Sequence, residues 1–347
     1  MKKILFIGSN NKNSLEYFYM SAIKKRGVAV DILPLRDWWR QKRRRSLLSR
    51  IVSRLFPGLF CRSLNERLLS QMADEYYDAI LVFKGMELLP RTVRALKRFA
   101  SLLAIFNPDH PFIYSMRGSG NSLMRRSMRH YDLYITYARD IYDQLEYNGI
   151  KAGRVPFGYY IEEEWYQQAA SQNEILKICF LGNGDKMRAD FLNNLADAGL
   201  PVVVYGTDWN GLLNKKIERH DGVYGLEFWK VLRRYRVQLN MMRTHNLRSH
   251  NMRTFDIPAI GGIQVAPRTP EHEEFFDDGE EIFLYESPED CARICTDILN
   301  LSFKEAEKIR VCAQERSFNS KYSYEDRADD ILNLLIGQDL PQKIYNV

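Results

Sequence analysis

The chain has 347 residues, of which 45% are apolar and 27% charged. That fits a folded protein of two domains and excludes a disordered one. Its formal charge of +6 is concentrated: from Arg36 to Arg54 there are eight Lys or Arg against Asp37 alone, and the remainder is close to −1, which excludes a broad nucleic-acid-binding surface.

Lys2-Lys3 leads straight into Ile4-Leu5-Phe6-Ile7, a strand-sized run without the apolar core and cleavage site of a signal peptide. No apolar run approaches the ~18–20 residues of a spanning helix. The five cysteines (Cys61, Cys179, Cys291, Cys295, Cys312) are scattered and odd in number, which points to a reducing compartment. A cytoplasmic protein is the expectation.

The first elements read as a strand at 3–7, a loop from Gly8 to Ser14, a helix to about Lys25 stopped by Gly27, and a strand at 28–33. The basic segment follows. At 100° per residue Leu47, Leu48, Ile51, Val52 and Leu55 share a helix face flanked by Arg43, Arg50 and Arg54, while Trp38 and Trp39 fall off it and read as a preceding turn. Two readings stay open. One is a helix docked on its own domain with a solvated basic edge. The other is an interfacial contact with an anionic membrane through Trp38, Trp39, Arg43, Arg44, Arg45 and Arg50, each cation gaining about 1 kcal/mol, which would hold the protein peripherally at the inner membrane face.

Further strands are expected at 78–85, 102–106 and 131–137 and helices at 90–98 and 139–147, with the loop Asn107-Pro108-Asp109-His110-Pro111 after the second of these strands. A polar stretch at 162–173 separates a fresh start: a strand from Leu176 into Gly182-Asn183-Gly184, a helix at 186–198, and a strand at 201–205 ending at Gly206. Alternating β and α implies parallel sheets covered by helices. The predicted fold class is α/β, two Rossmann-like domains facing across a cleft at 1–165 and 174–320, with a helical segment at 321–347 packing back on the first. Ligands in such sheets bind at the carboxyl ends of the strands.

Neither Gly8-Ser9-Asn10 nor Gly182-Asn183-Gly184 completes a dinucleotide fingerprint, although backbone N–H groups at a helix start suit phosphate oxygens. The richest region runs from Arg248 to Phe276: a polar, basic loop, a short helix near 253–260, Gly261-Gly262, a buried strand, and an acidic helix start. A carboxylate at Asp256 can accept two hydrogen bonds from a ribose diol, and nearby arginines can neutralise a diphosphate.

The run Arg253-x-Phe255-Asp256-x-x-Ala259-x-Gly261-Gly262, then Arg268-Thr269-Pro270-Glu271-x-Glu273-Glu274-Phe275-Phe276, resembles the C-terminal domain of CgeB-like (spore-maturation-type) group 1 glycosyltransferases. Upstream, Val82-Phe83-Lys84-Gly85, Phe106 to Pro111, Val155-Pro156-Phe157-Gly158 and Val204-Tyr205-Gly206 are similar to that family's landmarks. The resemblance implies a GT-B fold, a nucleotide-sugar donor in the C-terminal domain, and a glycan, lipid-linked or protein acceptor in the N-terminal one. It implies no bound metal, and no cofactor besides the donor as co-substrate.

By the same resemblance Asp256 contacts the donor ribose, Arg188 meets the diphosphate, and Gly261 and Gly262 allow close approach beside it. Asn251 and Arg253 touch phosphate or sugar. Gly8, Gly182, Asn183, Tyr205, Thr254 and Glu271 complete the expected donor set. Retaining relatives carry two glutamates with seven residues between them, and Arg248 stands here in place of the first. The carboxylate on the sugar then comes from elsewhere, Glu271 or Glu273, and the stereochemistry, with retention the expectation, stays open.

Glycosyl transfer needs the leaving diphosphate stabilised. Arg188, Arg248, Arg253 and Arg268 are the candidates, one preorganised donor contributing about 3–4 kcal/mol. Asp109, then His110, are the expected acid or base. His245, His250 and His272 form no metal pattern with Cys291 and Cys295, which read as core packing. Two competing readings are a non-catalytic nucleotide-sugar-binding protein and an NAD(P)-dependent oxidoreductase.

Overall fold

The computed structural model describes residues 1–72, 74–113, 120–171, 173–244 and 246–337. The chain divides into two compact units, one of residues 1–156 with the segment from Tyr324, the other of 157–323.

Unit 1 opens with β1 (Lys3–Ile7), α1 (Leu15–Lys25) and β2 (Ala29–Leu33). Three helices follow in succession: α2 (Leu35–Arg44), α3 (Leu47–Leu55) and α4 (Pro57–Ser70). The unit continues through β3 (Tyr77–Phe83), α5 (Pro90–Leu96), β4 (Ala100–Asn107), α6 (Ser122–Ser127), β5 (Leu133–Thr136), α7 (Arg139–Tyr147) and β6 (Ala152–Arg154). All six strands run parallel in the order β2-β1-β3-β4-β5-β6. Ile4 to Ile7 and Ala79 to Phe83 are buried, as a parallel strand covered on both faces requires.

Unit 2 contains α8 (Glu163–Ala170), β7 (Ile175–Leu181), α9 (Lys186–Asp197), β8 (Val202–Tyr205), β9 (Glu218–His220), α10 (Leu226–Arg234) and β10 (Tyr235–Leu239). It continues with α11 (Arg253–Ala259), β11 (Gln264–Pro267), α12 (Pro270–Phe275), β12 (Phe283–Tyr285), α13 (Pro288–Asn300) and α14 (Phe303–Asn319). Its sheet is also parallel, in the order β12-β11-β10-β7-β8-β9. The last helix, α15 (Tyr324–Leu335), belongs to unit 1. Tyr324 rings pack on Phe18 and Tyr19 of α1, and Arg26 bonds the Glu325 carbonyl and the Asp329 carboxylate.

Two expectations need correction. The polar stretch at 162–173 is not a linker: α8 lies in it, and Ala169 packs with Trp229, Leu232 and Ile257 of unit 2. The basic segment is two helices, broken where Ser46 caps α3 by accepting the Ser49 N–H. Trp38 and Trp39 lie inside α2 rather than in a turn before it. Both are half-buried, Trp38 under the Arg67 guanidinium at 4.0 Å and Trp39 edge-on to Phe60 of α4, so they join α2 to α4 instead of facing a membrane.

A buried ionic lock ties the amino-terminal edge of the second sheet. Glu174, just before β7, accepts from Arg236 at 2.8 and 2.6 Å and from Arg310 of α14 at 2.6 Å. Burial opposes its ionisation, but these two guanidinium bonds outweigh it and hold the carboxyl below its usual range.

Candidate functional site

In an open parallel sheet the binding crevice lies at the carboxyl ends of the two strands where the strand order reverses. In unit 2 those strands are β7 and β10. Gly182 follows β7, and its amide donates to the Tyr205 carbonyl while its own carbonyl accepts from Trp209 Nε1 at 3.0 Å. Gly206 presses against that carbonyl so closely, at a φ of 148°, that no side chain fits. The loop is thereby fixed, and Asp185 caps α9 by accepting the Arg188 N–H.

Arg188 is buried in the first turn of α9. Its Nη1 donates to the Asn183 carbonyl at 3.1 Å and its Nη2 to the Met241 carbonyl, beyond β10, at 2.9 Å. Burial first, and then the Arg243 and Arg253 cations, bring its pKa down to about 10 against the pull of Asp185. The charges of Arg243 and Arg253 thus act on Arg188, whose own side chain bridges the loops after β7 and β10, while Asp185 faces Arg188 at 3.7 Å and Asp256 pairs with Arg253. Arg188 and Arg253 each keep a buried Nε–H without a hydrogen-bond acceptor, an arrangement that an anion with several oxygens would satisfy. Arg243 escaped the sequence reading. It lies four residues past β10, and only the strand order reveals that this loop borders the crevice.

Arg253 opens α11 and bonds Asp256 one turn on, Nη1 to Oδ2 at 2.6 Å, with its guanidinium over the Phe228 ring at 4.4 Å. Asp256 is only 4% exposed. Burial pushes its carboxyl up to about 6 despite the opposing Arg253 charge. The side chain is thus held by Arg253 rather than presented free to a ribose.

Around it the polar side chains are interlocked. Asn251 Nδ2 donates to Asn240 Oδ1 at 2.7 Å, and Asn251 Oδ1 accepts the Arg253 amide. Thr254 is buried and its hydroxyl pairs with His272 Nε2 at 2.9 Å. Burial lowers His272 to a pKa of about 4, so its neutral ring donates from Nδ1 to the Pro267 carbonyl. Glu271 is buried beneath this layer, bonded to the Ser249 hydroxyl and to His250 Nδ1. His250 Nε2 accepts the Phe157 N–H at 3.1 Å, which fixes the ring's Nδ1–H tautomer. Glu271 and Thr254 therefore hold loops together and do not face a sugar.

Several expected residues lie elsewhere. Gly261 and Gly262 follow the carboxyl end of α11 and precede β11, at the opposite edge of the sheet from the crevice. Their missing Cβ atoms make room for Gln314 and for the Leu232 and Ile257 carbonyls, so they serve packing and not donor approach. The Tyr205 hydroxyl is taken by Arg234 at 2.8 Å and Tyr235 at 3.0 Å. Arg268 is neutralised by Glu273, Asp278 and Glu286, which also engages Glu273. Asn183 and Arg248 are exposed. Cys291 and Cys295 are buried side by side in the core, as the spacing suggested. His245 lies outside the described residues, and no metal-holding group of His, Cys, Asp and Glu occurs among those described.

In unit 1 the reversal falls between β1 and β3. Gly8 is no phosphate cradle: a Cβ there would strike Glu16, whose carboxylate takes the Ser9 N–H at 3.2 Å, while Asp37 takes the Asn10 N–H and the Ser9 hydroxyl, each at 2.7 Å. Two carboxylates thus occupy the donors that an incoming anion would need and would repel it. Past β3, Lys84 adopts a φ of 62° and forms a 2.5 Å ion pair with Asp109, which follows β4. A non-glycine residue in that region carries a cost of about 1–2 kcal/mol. His110 is buried, its Nδ1 accepting the Phe112 and Ile113 amides.

Residues 188–333 match a family model described as glycosyl transferase-like. The structure is similar over almost its whole length to a sucrose-phosphate synthase from Thermosynechococcus elongatus, with a TM-score of 0.65, 12% identity, and 96% of this chain and 98% of that one covered. It is similar also to Anabaena HepE in complex with UDP-glucose, with a TM-score of 0.63, 11% identity, and 97% and 100% of the two chains covered. A UDP-forming α,α-trehalose-phosphate synthase from Burkholderia xenovorans gives a TM-score of 0.63 at 12% identity, covering 98% and 100%. The fold is GT-B. No curated protein matches the chain by sequence. The glycosyl transferase-like match starts at Arg188 and so contains Arg188, Arg243 and Arg253 of this GT-B chain.

Proposed function

We propose that the chain transfers a sugar from a nucleoside-diphosphate donor to a glycan, lipid-linked or protein acceptor. Buried Arg188, spanning the loops after β7 and β10, carries this reading, because it and Arg253 keep buried Nε–H groups without an acceptor and, with Arg243, outnumber the carboxylates Asp185 and Asp256 beside them, an excess that an anionic ligand relieves. These guanidinium groups stabilise the leaving diphosphate without a bound metal. Asp256 takes the ribose once Arg253 turns from its carboxylate to phosphate. Asp109, compensated by Lys84, acts on the acceptor hydroxyl as base. Direct displacement with Asp109 as base inverts the anomeric carbon, whereas front-face attack in which the leaving diphosphate takes the hydroxyl proton retains it, and proton NMR of the first-formed product distinguishes the two.

UDP and UDP-glucose are bound by Anabaena HepE, which makes them the first probes. A thermal-shift series with UDP-, GDP-, dTDP- and CMP-sugars and with NAD(P) tests the proposal. Saturating the right donor at a hundred times its Kd stabilises by about 2.7 kcal/mol, and a chelator leaves the shift and the turnover unchanged. A response to NAD(P) alone would favour a dehydrogenase. A response to a nucleotide sugar without hydrolysis or transfer would favour a binding protein.

A further inference from the structure

The apolar residues that share one face of the basic segment divide once the backbone is folded. Val52 turns inward, against a cluster of Phe60, Cys61, Leu89 and Leu123. Leu47, Leu48, Ile51 and Leu55 turn outward, and Phe56 and Leu59 extend them around the turn into α4. These six side chains are between 53% and 74% exposed. Such a run of large apolar groups, exposed within thirteen residues, is well beyond the scattered hydrophobics of an ordinary surface.

Its border is uniformly cationic. No Asp or Glu occurs from Trp38 to Asn65, a stretch that holds eight Lys or Arg. Arg43, Arg44, Arg45, Arg50 and Arg54 are all exposed, and none of them is ion-paired with a carboxylate among the described residues. Lys42 is different: it bonds the Phe60 carbonyl at 2.6 Å and Ser63 at 2.9 Å, bracing α2 on α4. The support is therefore braced, and of the five arginines above it Arg43 lies over the Trp39 ring at 5.4 Å.

We propose that the α3–α4 elbow of unit 1 is a docking surface for an anionic lipid bilayer. Leu47, Leu48, Ile51, Leu55, Phe56 and Leu59 enter the acyl boundary, and the five arginines sit at the level of the lipid phosphates. Charge complementarity selects this occupant. A second copy of the chain would bring two like-charged borders together, whereas an anionic bilayer offers counter-charge on every side of the apolar patch. Nine residues of α3 span about 14 Å, less than half of a ~30 Å hydrocarbon core, so the helix lies in the plane of the interface. Among the described residues no helix is long and apolar enough to cross a membrane.

The full chain is floated with vesicles of phosphatidylcholine alone and of phosphatidylcholine mixed with phosphatidylglycerol, at low and high salt. No donor or acceptor is present, so the result does not depend on the glycosyl-transfer reading. Binding is expected to the mixed vesicles only and to fall several-fold as salt rises. The exposed double variant Ile51→Glu/Leu55→Glu should lose at least tenfold in partitioning with an unchanged melting temperature, and each of Arg44→Ala and Arg50→Ala about fivefold. Emission from Leu48→Trp should shift to the blue on the mixed vesicles. Absence of binding at low salt, equal binding by the double variant, or an unmoved Leu48→Trp signal would overturn the proposal. So would a dimer in solution that the double variant abolishes while the vesicles are ignored, since the face would then be a contact between copies.

Discussion

The two sheets share a parallel plan, yet the places where their strand order reverses differ in which charge holds the loop amides and which is left over. In unit 2 Arg188 bridges the loops after β7 and β10, and the charges of Arg243 and Arg253 act on it. In unit 1 the ends of β1 and β3 hold Glu16 and Asp37 on the loop amides, together with Glu87, whose carboxyl burial raises above its usual range. Beside them stands the Lys84–Asp109 pair. Topology provides a crevice in both units. Which ligand each accepts is set by the few side chains that reach it; the proposed function assigns the phosphates to unit 2 and an uncharged hydroxyl partner to unit 1.

Variants can break that contrast. The largest effect is expected from Asp109→Ala, which should cut turnover by about 10²–10⁴ while UDP affinity, measured by calorimetry, is kept. Loss of affinity with turnover intact would reverse the roles of the two crevices. Next, Arg188→Ala should lower kcat/KM by about 10²–10³. Because Arg188 also braces two backbone carbonyls, the half-exposed Arg243→Ala is the companion variant, expected to weaken UDP at an unchanged melting temperature.

A smaller effect should follow pH. The folded pKa of Asp256, about 6, lies above the 3.8 of a free carboxyl. The folded state therefore holds its proton more tightly, and this residue costs stability increasingly as pH rises from about 4 to about 6. Ribose recognition needs the ionised form, so UDP affinity should rise about tenfold from pH 5 to pH 7; a flat profile would remove Asp256 from the donor site. The Glu174 lock has the opposite sign. Its carboxyl is held below 4.5, so its contribution is present above that pH and is lost on acidification through the folded value. The smallest effect sharpens the comparison from the other side: Glu16→Gln in unit 1 should leave UDP binding unchanged in the same calorimetric assay.

Much of the architecture was legible in the residues. Apolar runs ending in glycine marked β1, β3 and β7, and caps and stops placed α1, α7 and α9 to within a residue or two, because local periodicity and turn chemistry are short-range properties. The Glu162–Asn173 stretch was misread since its polar face hides Ala169 and Trp165, which count as apolar contacts only once Trp229 and Ile257 are brought beside them. Arg188 and Asp256 stood out in the sequence because each follows a polar loop within one turn of a helix start. Gly261 and Gly262 were misplaced because a sequence does not say toward which edge of the sheet a short helix runs.

The sequence by itself determined the elements, their alternation, the two-sheet plan and the concentration of charge between Arg36 and Arg54, since each depends on residues within a few turns of one another. Tertiary structure alone decided the strand order, and with it which loops border the crevices. It also decided which carboxylates each arginine meets, Glu273, Asp278 and Glu286 for Arg268 and Asp256 for Arg253. Those outcomes turn on contacts between residues far apart in the chain, 136 positions between Glu174 and Arg310 and 303 between Arg26 and Asp329, and on burial, which no local pattern encodes.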